Sequence, residues 1–212
     1  MKNNVTTFYI VRHGETDWNI EKKIQGQTDI PLNKSGEIQA SEIAKKFKNI
    51  KFDLAFSSDL LRAKRTADII LLEKKLLVET TTTLRERKFG AIEGKPSKIF
   101  FEYLEELKAK SHAERLNHRL REDFENDEEI ASRVITFLRE TAIANPGKIV
   151  LITTHGGVFH TILVHLGFMS YEESDKLKIK NTAYLKLLSD GIEFWLKEQE
   201  GIIDSKLWIS NI

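Results

Sequence analysis

The chain contains no cysteine. Disulfide scaffolds, thiol nucleophiles and Cys-ligated zinc or iron–sulfur centres are therefore excluded together. No apolar run approaches the roughly 20 residues that a membrane-spanning helix needs. The polar start, Met1 to Thr7, also lacks the apolar stretch of a secretory signal, so a soluble, cytoplasmic protein with no membrane partner is expected. Charge of one sign is not in excess either: 33 Lys and Arg face 32 Asp and Glu, and the formal charge is +1. A nucleic-acid binder would be more lopsided, so any phosphate preference has to be local. The three prolines and 11 glycines are dispersed, without a linker, repeat or low-complexity stretch. With 41% hydrophobic residues among 212, the chain can bury a sizeable core and is expected to form a single domain over 1–212.

What is present alternates between two periodicities. Residues 6–11 and 148–154 are short runs rich in β-branched and apolar residues that predict buried strands, and 54–57 predicts a third. Residues 35–47 keep approximately helical spacing through Ile38, Ile43, Ala44 and Phe47. Further helices are predicted at 59–72, 97–110, 127–144 and 156–166, with a late hairpin of 183–188 and 192–196 turning at Asp190-Gly191. Strands alternating with helices imply an α/β protein with a mostly parallel sheet and an antiparallel edge.

In an open parallel sheet, ligands bind beyond the carboxyl ends of the strands. The first strand runs into Arg12-His13-Gly14-Glu15-Thr16 and the late one into Thr154-His155-Gly156-Gly157, while 54–57 runs into Ser58 with Arg62 about one helical turn farther. Arg forks match phosphate oxygens, and a neutral imidazole nitrogen can attack phosphorus to form a covalent phosphohistidine. Glu86 is the candidate acid for the leaving oxygen, because it follows the strand-like run 78–83 and precedes Gly90 and Gly94, which would bend its loop.

These segments carry a resemblance. Arg12-His13-Gly14-Glu15-Thr16 with Trp18-Asn19, Gln25-Gly26, Asp29, Pro31-Leu32 and Gly36 is similar to the opening signature of the histidine phosphatase superfamily. That group includes cofactor-dependent phosphoglycerate mutases and many small phosphatases. Ser57-Ser58-Asp59-Leu60-Leu61-Arg62-Ala63 with Thr66-Ala67, then Leu84-Arg85-Glu86 with Gly90 and Glu93-Gly94, then His155-Gly156-Gly157, resemble its later signatures in order. The resemblance implies a three-layer α/β/α sandwich, with His13 as the phosphorylated nucleophile. It further implies that Arg12, Arg62 and His155 grip the phosphoryl group, and that Glu86 is the proton donor and later the base for water. Asn19, Gln25, Gly26, Arg87 and the backbone at Gly156 are the expected substrate-binding set. No metal and no cofactor are implied; the expected partner is a small phosphorylated substrate, the chain a monomer or homodimer, and residues 95–126 a lid-like insertion.

Other readings of the same residues stand beside these. Asn19 and Gln25 could simply close loop hydrogen bonds. His155, His160 and His165 are five apart, which at about 100° per residue scatters them around a helix and builds no metal face. His112 and His118 read as solvated, and Glu102, Glu105, Glu106, Glu122, Asp123 and Glu125 as exposed helix faces. Phe100, Phe101, Tyr103 and Leu104 read as a packing face. Arg115, Arg119 and Arg121 form a local basic excess, which either overhangs the pocket and favours a second anionic group on the substrate or pairs with Glu102, Glu105 and Glu122.

The short interval from Lys95 to Phe124, and Lys88-Phe89 where mutases carry His-Tyr, favour a phosphatase acting on a sugar phosphate, sugar bisphosphate or phosphoglycerate. A cofactor-dependent mutase and an inactive phosphoprotein-binding scaffold are the alternatives. Asp123-Phe124-Glu125-Asn126 departs from the Gly-rich lead and Glu-Ser pair of relatives, and Ile92 stands where many phosphatases have Trp.

Overall fold

The computed structural model describes residues 5–204. In chain order its elements are β1 (Thr6–Arg12), α1 (Asp17–Ile20), α2 (Lys34–Lys46), β2 (Leu54–Ser58), α3 (Leu61–Leu71) and β3 (Glu79–Thr81). After two short 3₁₀ turns come α4 (Lys98–Lys108), α5 (His112–Asn117), α6 (Asp127–Ala144), β4 (Ile149–Thr154), α7 (Gly156–His165) and α8 (Tyr171–Ser174). The hairpin strands β5 (Leu177–Ser189) and β6 (Phe194–Asp204) follow. The described residues form a six-stranded sheet in the order β3-β2-β4-β1-β5-β6. β1, β2, β3 and β4 pair in parallel, whereas β5 lies antiparallel to β1 and β6 antiparallel to β5. Two antiparallel strands thus close one side, of which β6 is the edge.

The central strands read as continuous apolar runs because both sheet faces are covered. Successive side chains alternate between faces. Phe8, Ile10, Val150, Ile152, Leu185 and Leu187 meet Ile130, Val134 and Leu138 of α6 and Phe159 and Ile162 of α7. Tyr9, Val11, Leu151 and Tyr184 meet Ile43 and Phe47 at the end of α2 and Ile70 and Leu71 of α3. The result is the expected three-layer sandwich. Full burial of one such side chain contributes about 2 kcal/mol, and the helix ends are secured locally. Asn33 accepts the Gly36 N–H at 2.8 Å, and Asn126 and Glu129 form a reciprocal capping box at the start of α6. Such caps contribute about 1 kcal/mol each.

Two expectations are corrected. The run 78–83 forms only the three-residue β3 before a 3₁₀ turn takes over at Thr82, with the Thr81 hydroxyl capping the Thr83 N–H. The hairpin is much longer than 183–188 and 192–196, because β5 continues back to Leu177 through a register shift between Ile179 and Tyr184. The segment 111–121, whose periodicity is weak, holds α5, nucleated by a capping box in which Ser111 and Glu114 exchange hydrogen bonds. Gly90 and Gly94 do bend the loop after Glu86, at φ of +53° and +81°. Among the described residues no helix is long and apolar enough to cross a membrane.

Candidate active site

Four chain segments deliver the reactive side chains to the carboxyl edge of the sheet. Arg12 and His13 leave β1, and His155 leaves β4 as the N-cap of α7. Their placement follows from the register: Arg12 pairs with Thr154, and the His13 N–H donates to the Thr154 carbonyl at 2.9 Å. The His13 and His155 rings therefore stand beside each other, with centroids 5.2 Å apart. Arg62 comes from the first turn of α3, whose N-cap, Leu60, has no capping side chain. Asp29 substitutes by accepting the Leu61 N–H at 2.7 Å. The same 26–29 loop then holds the guanidinium, since Arg62 donates to the Thr28 carbonyl at 2.8 Å and the Gly26 carbonyl at 2.6 Å.

His13 is buried, and its Nδ1 lies 2.7 Å from the Gly14 carbonyl oxygen. A carbonyl only accepts, so Nδ1 carries the proton and the Nε2 lone pair is left for chemistry. Burial first, and then the positive charges of Arg62 and Arg12, hold the His13 pKa well below the ordinary histidine value. His155 is held low for the same reasons, with burial the largest and Arg62 next. Both rings are neutral near pH 7. Arg62, completely buried, is lowered by desolvation to about 10 and stays charged.

Around this neutral imidazole, buried polar atoms lack partners: Arg12 Nε, Arg62 Nε and both ring nitrogens of His155. Leaving such atoms unpaired typically costs about 1–3 kcal/mol each. An oxyanion seated among them would accept hydrogen bonds from both guanidiniums. The Gln25 Oε1 is likewise buried and unpaired.

Glu86 faces the same cleft. Its Oε1 accepts the Arg87 N–H at 2.8 Å and its Oε2 accepts the Gly157 N–H at 3.0 Å, so backbone groups on two sides hold the carboxylate. Gly157 has to be a glycine for this: a Cβ there would lie 2.2 Å from Glu86 Oε1. Arg133 of α6 steadies the loop from behind by donating to the Thr83 carbonyl at 2.5 Å and the Glu86 carbonyl at 3.3 Å while paired with Glu125.

All ten expected site residues, Arg12, His13, Asn19, Gln25, Gly26, Arg62, Glu86, Arg87, His155 and Gly156, lie at this edge; nine line one cleft of about 430 Å³, with His155 fully buried beneath it against His13. Asn19 closes its loop and also reaches the cleft. Its Oδ1 accepts the Thr16 N–H at 3.1 Å, closing the loop, while the residue also lines the cleft. Gly26 contributes its carbonyl to Arg62, and Arg87 forms an ion pair with the largely buried Asp127 at 2.5 Å.

The expectations for the 111–121 segment need correction. Only Arg115 of its three arginines lines this cleft, and none pairs with Glu102, Glu105 or Glu122. Arg115 is buried and donates to both oxygens of Asp175 at 2.9 and 3.0 Å, Arg119 pairs with Glu129, and Arg121 pairs with Asp123. The histidines there are not simply solvated: His118 bonds Glu106 at 3.1 Å, and the His112 ring packs on Tyr171. Phe100 packs on Phe89 as expected of a packing face, yet Phe101 is 59% exposed, and both line the cleft. Among the described residues there is no group of three or more side chains placed to hold a metal ion.

Sequence reasoning missed Asn181. It sits in the irregular stretch of β5, where Thr182 adopts a left-handed φ of +56°, a conformation that costs a non-glycine residue about 1 kcal/mol. Its Nδ2 donates to the His13 carbonyl at 3.1 Å and to Asn19 Oδ1 at 3.2 Å. The Asn19 oxygen is thereby occupied on the loop side. No local signal marks Asn181, because its partners are 168 and 162 residues away.

A mostly parallel α/β sheet with two neutral histidines, two buried guanidiniums and a tethered carboxylate at its carboxyl edge defines a protein built to handle an oxyanion. The particular lineage follows from the whole sequence: residues 8–200 match the histidine phosphatase superfamily (branch 1), and the chain belongs to it. It is 38% identical over 162 residues, covering 76% of this chain and 78% of the other, to a Bacillus subtilis (strain 168) protein named uncharacterized phosphatase PhoE. A phosphoglycerate mutase structure from Bacillus anthracis str. Sterne superposes with a TM-score of 0.77 at 27% identity, covering 97% of this chain and 96% of that one. Phosphoserine phosphatase from Entamoeba histolytica, in complex with 3-phosphoglyceric acid, gives a TM-score of 0.75 at 27% identity over 92% and 96% of the two chains.

Proposed function

We propose that this protein hydrolyses phosphate monoesters of small metabolites through a phosphohistidine on His13. In the first step Nε2 attacks phosphorus and the P–O bond to the alcohol breaks. The leaving oxygen takes a proton from the Glu86 carboxyl, and the Nδ1–H bond to the Gly14 carbonyl stabilises the phosphorylated ring. In the second step Glu86 takes a proton from water, the hydroxide oxygen attacks phosphorus, the P–N bond breaks and inorganic phosphate leaves. Arg12, Arg62 and His155 surround the transferring group throughout. The charge they neutralise is largest in the transition state, where such preorganised donors act most strongly.

The observation that carries this reading is the convergence of unpaired buried donors on a neutral histidine whose free nitrogen is Nε2. The relative named as a phosphatase and the neighbour crystallised with 3-phosphoglyceric acid lend support to small phosphorylated substrates. We read residues 95–126, which carry α4 and α5, as the lid-like part of one domain spanning 1–212.

The test is rapid quench with ³²P-labelled monoester. An acid-labile, base-stable phosphoryl adduct is expected on the wild type and absent from His13→Ala, with phosphate released when no 2,3-bisphosphoglycerate is added. An adduct on His13→Ala would overturn the nucleophile. Isomerisation of 3-phosphoglycerate that depends on added bisphosphoglycerate would favour the mutase, and phosphate-sensitive binding without turnover the scaffold.

A further inference from the structure

The cleft continues beyond the reactive groups, and the part it adds is apolar on some surfaces and charge-balanced on the others. Phe89, Phe100, Leu104 and Phe124 form the apolar surface, with the Phe89 ring 4.8 Å from Phe100 and 5.8 Å from Phe124. The polar surface comes from α6, α7, α8 and α5. There Arg87 is bound to Asp127 at 2.5 Å, and Arg115 to both oxygens of Asp175. The Arg115 guanidinium also stacks 4.1 Å from the Tyr171 ring centre, and His160 Nδ1 lies 2.8 Å from the Ser174 hydroxyl. At the rim, Lys23 is paired with Glu21 at 2.5 Å, and Lys178 is engaged as well.

Resting on the hydrolase reading above, we propose that this outer part of the cleft is a leaving-group subsite for an uncharged alcohol with an apolar face. It selects such monophosphates over esters that carry a second phosphate or a carboxylate. Arg87, Arg115 and Lys23 each already have a carboxylate partner. A second anionic group would have to detach Arg87 from Asp127 or Arg115 from Asp175, or else lie next to those carboxylates. Separating a largely buried pair leaves an uncompensated charge and is strongly unfavourable. An apolar ring, by contrast, gains by leaving water against the phenylalanines. Hydroxyls of the same alcohol can meet the His160 and Ser174 side chains, which both donate and accept. The local basic excess visible in the sequence is therefore spent within the protein.

The test measures binding and turnover separately. Binding of benzyl phosphate, 4-carboxybenzyl phosphate and inorganic phosphate to His13→Ala is followed by calorimetry. The two esters release alcohols of similar acidity. Benzyl phosphate is expected to bind at least about tenfold tighter than its carboxylated analogue, a difference of about 1.4 kcal/mol. Phe100→Ala in the same background should narrow the gap between benzyl phosphate and inorganic phosphate. Asp175→Asn, which frees Arg115, should shift preference toward 4-carboxybenzyl phosphate; if that variant does not fold, the unsubstituted ratio and Phe100→Ala still decide. Equal binding of the two esters, or preference for the carboxylate, overturns the subsite even when wild-type enzyme hydrolyses both. The expected preference without phosphate release by the wild type would support the subsite and overturn the hydrolase reading instead.

Discussion

Replacing Gly157 by alanine separates the acid role proposed for Glu86 from the stability of the fold. Gly157 is the second residue of α7, and its N–H holds Glu86 Oε2 at 3.0 Å. An added Cβ would stand 2.2 Å from Oε1, so the carboxylate has to retreat by roughly 1 Å to reach a normal separation near 3.5 Å. The atom displaced is the end of a flexible side chain, and alanine is a better helix former than glycine by up to about 1 kcal/mol. The melting temperature should consequently stay level or rise by up to about 4 °C. Chemistry should suffer. A misplacement of about 1 Å costs on the order of 10² in rate, and removing acid–base assistance costs about 10² to 10⁴. For an alkyl phosphate kcat/KM is expected to fall about a hundredfold. For an aryl phosphate whose phenolate leaves unaided, the fall should be less than about fivefold. Because both changes act through one carboxylate, Gly157→Ala should add almost nothing in a Glu86→Gln background. Phosphate release over a series of esters, with thermal melts of each variant, checks all of this. Equal loss for good and poor leaving groups, or full additivity with Glu86→Gln, would refute the reasoning.

Three further outcomes are expected. Arg62→Lys loses the fork that binds the Gly26 and Thr28 carbonyls; an ammonium cannot make both bonds and also reach phosphate, so kcat/KM should drop by about 10² to 10³, read against the melting temperature to separate folding from catalysis. Asn181→Ala removes the bridge between the His13 carbonyl and Asn19 and should lower kcat by about tenfold or more; unchanged kinetics would show that the bridge is only structural. The third concerns pH. His13 and His155 have folded pKa values well below normal, so the unfolded chain takes up protons near pH 6.5 that the folded protein refuses. Their contribution is fully present above that pH and is lost as pH falls toward the folded values, by up to about 1.4 kcal/mol per pH unit for each histidine. Urea denaturation between pH 7.5 and 5 checks the sign: stability that is flat or rising on acidification would contradict it, and His155→Gln should make the slope shallower.

The amino-acid sequence alone determined those features whose physics is local. Thr6–Arg12 and Ile149–Thr154 are readable as buried strands because a sheet covered on both faces demands apolar side chains on both. Asp127–Ala144 has its start written in Asn126 and Glu129, which cap it. Arg12, His13, Arg62, Glu86 and His155 could be assigned to one edge because each follows closely on a strand, and parallel strands end on the same side.

Tertiary structure decided the rest. The reach of β5 back to Leu177 depends on an irregular stretch of backbone around a left-handed Thr182, which no apolar alternation announces. Asn181, Arg133 and Asp127 matter through partners tens of residues away or more. The charges of 111–121 show the same limit most clearly. Composition counts arginines, but a charge acts according to its distance from others and its access to water. For Arg115 and Arg119 those were set only when packing brought Asp175 and Glu129 against them.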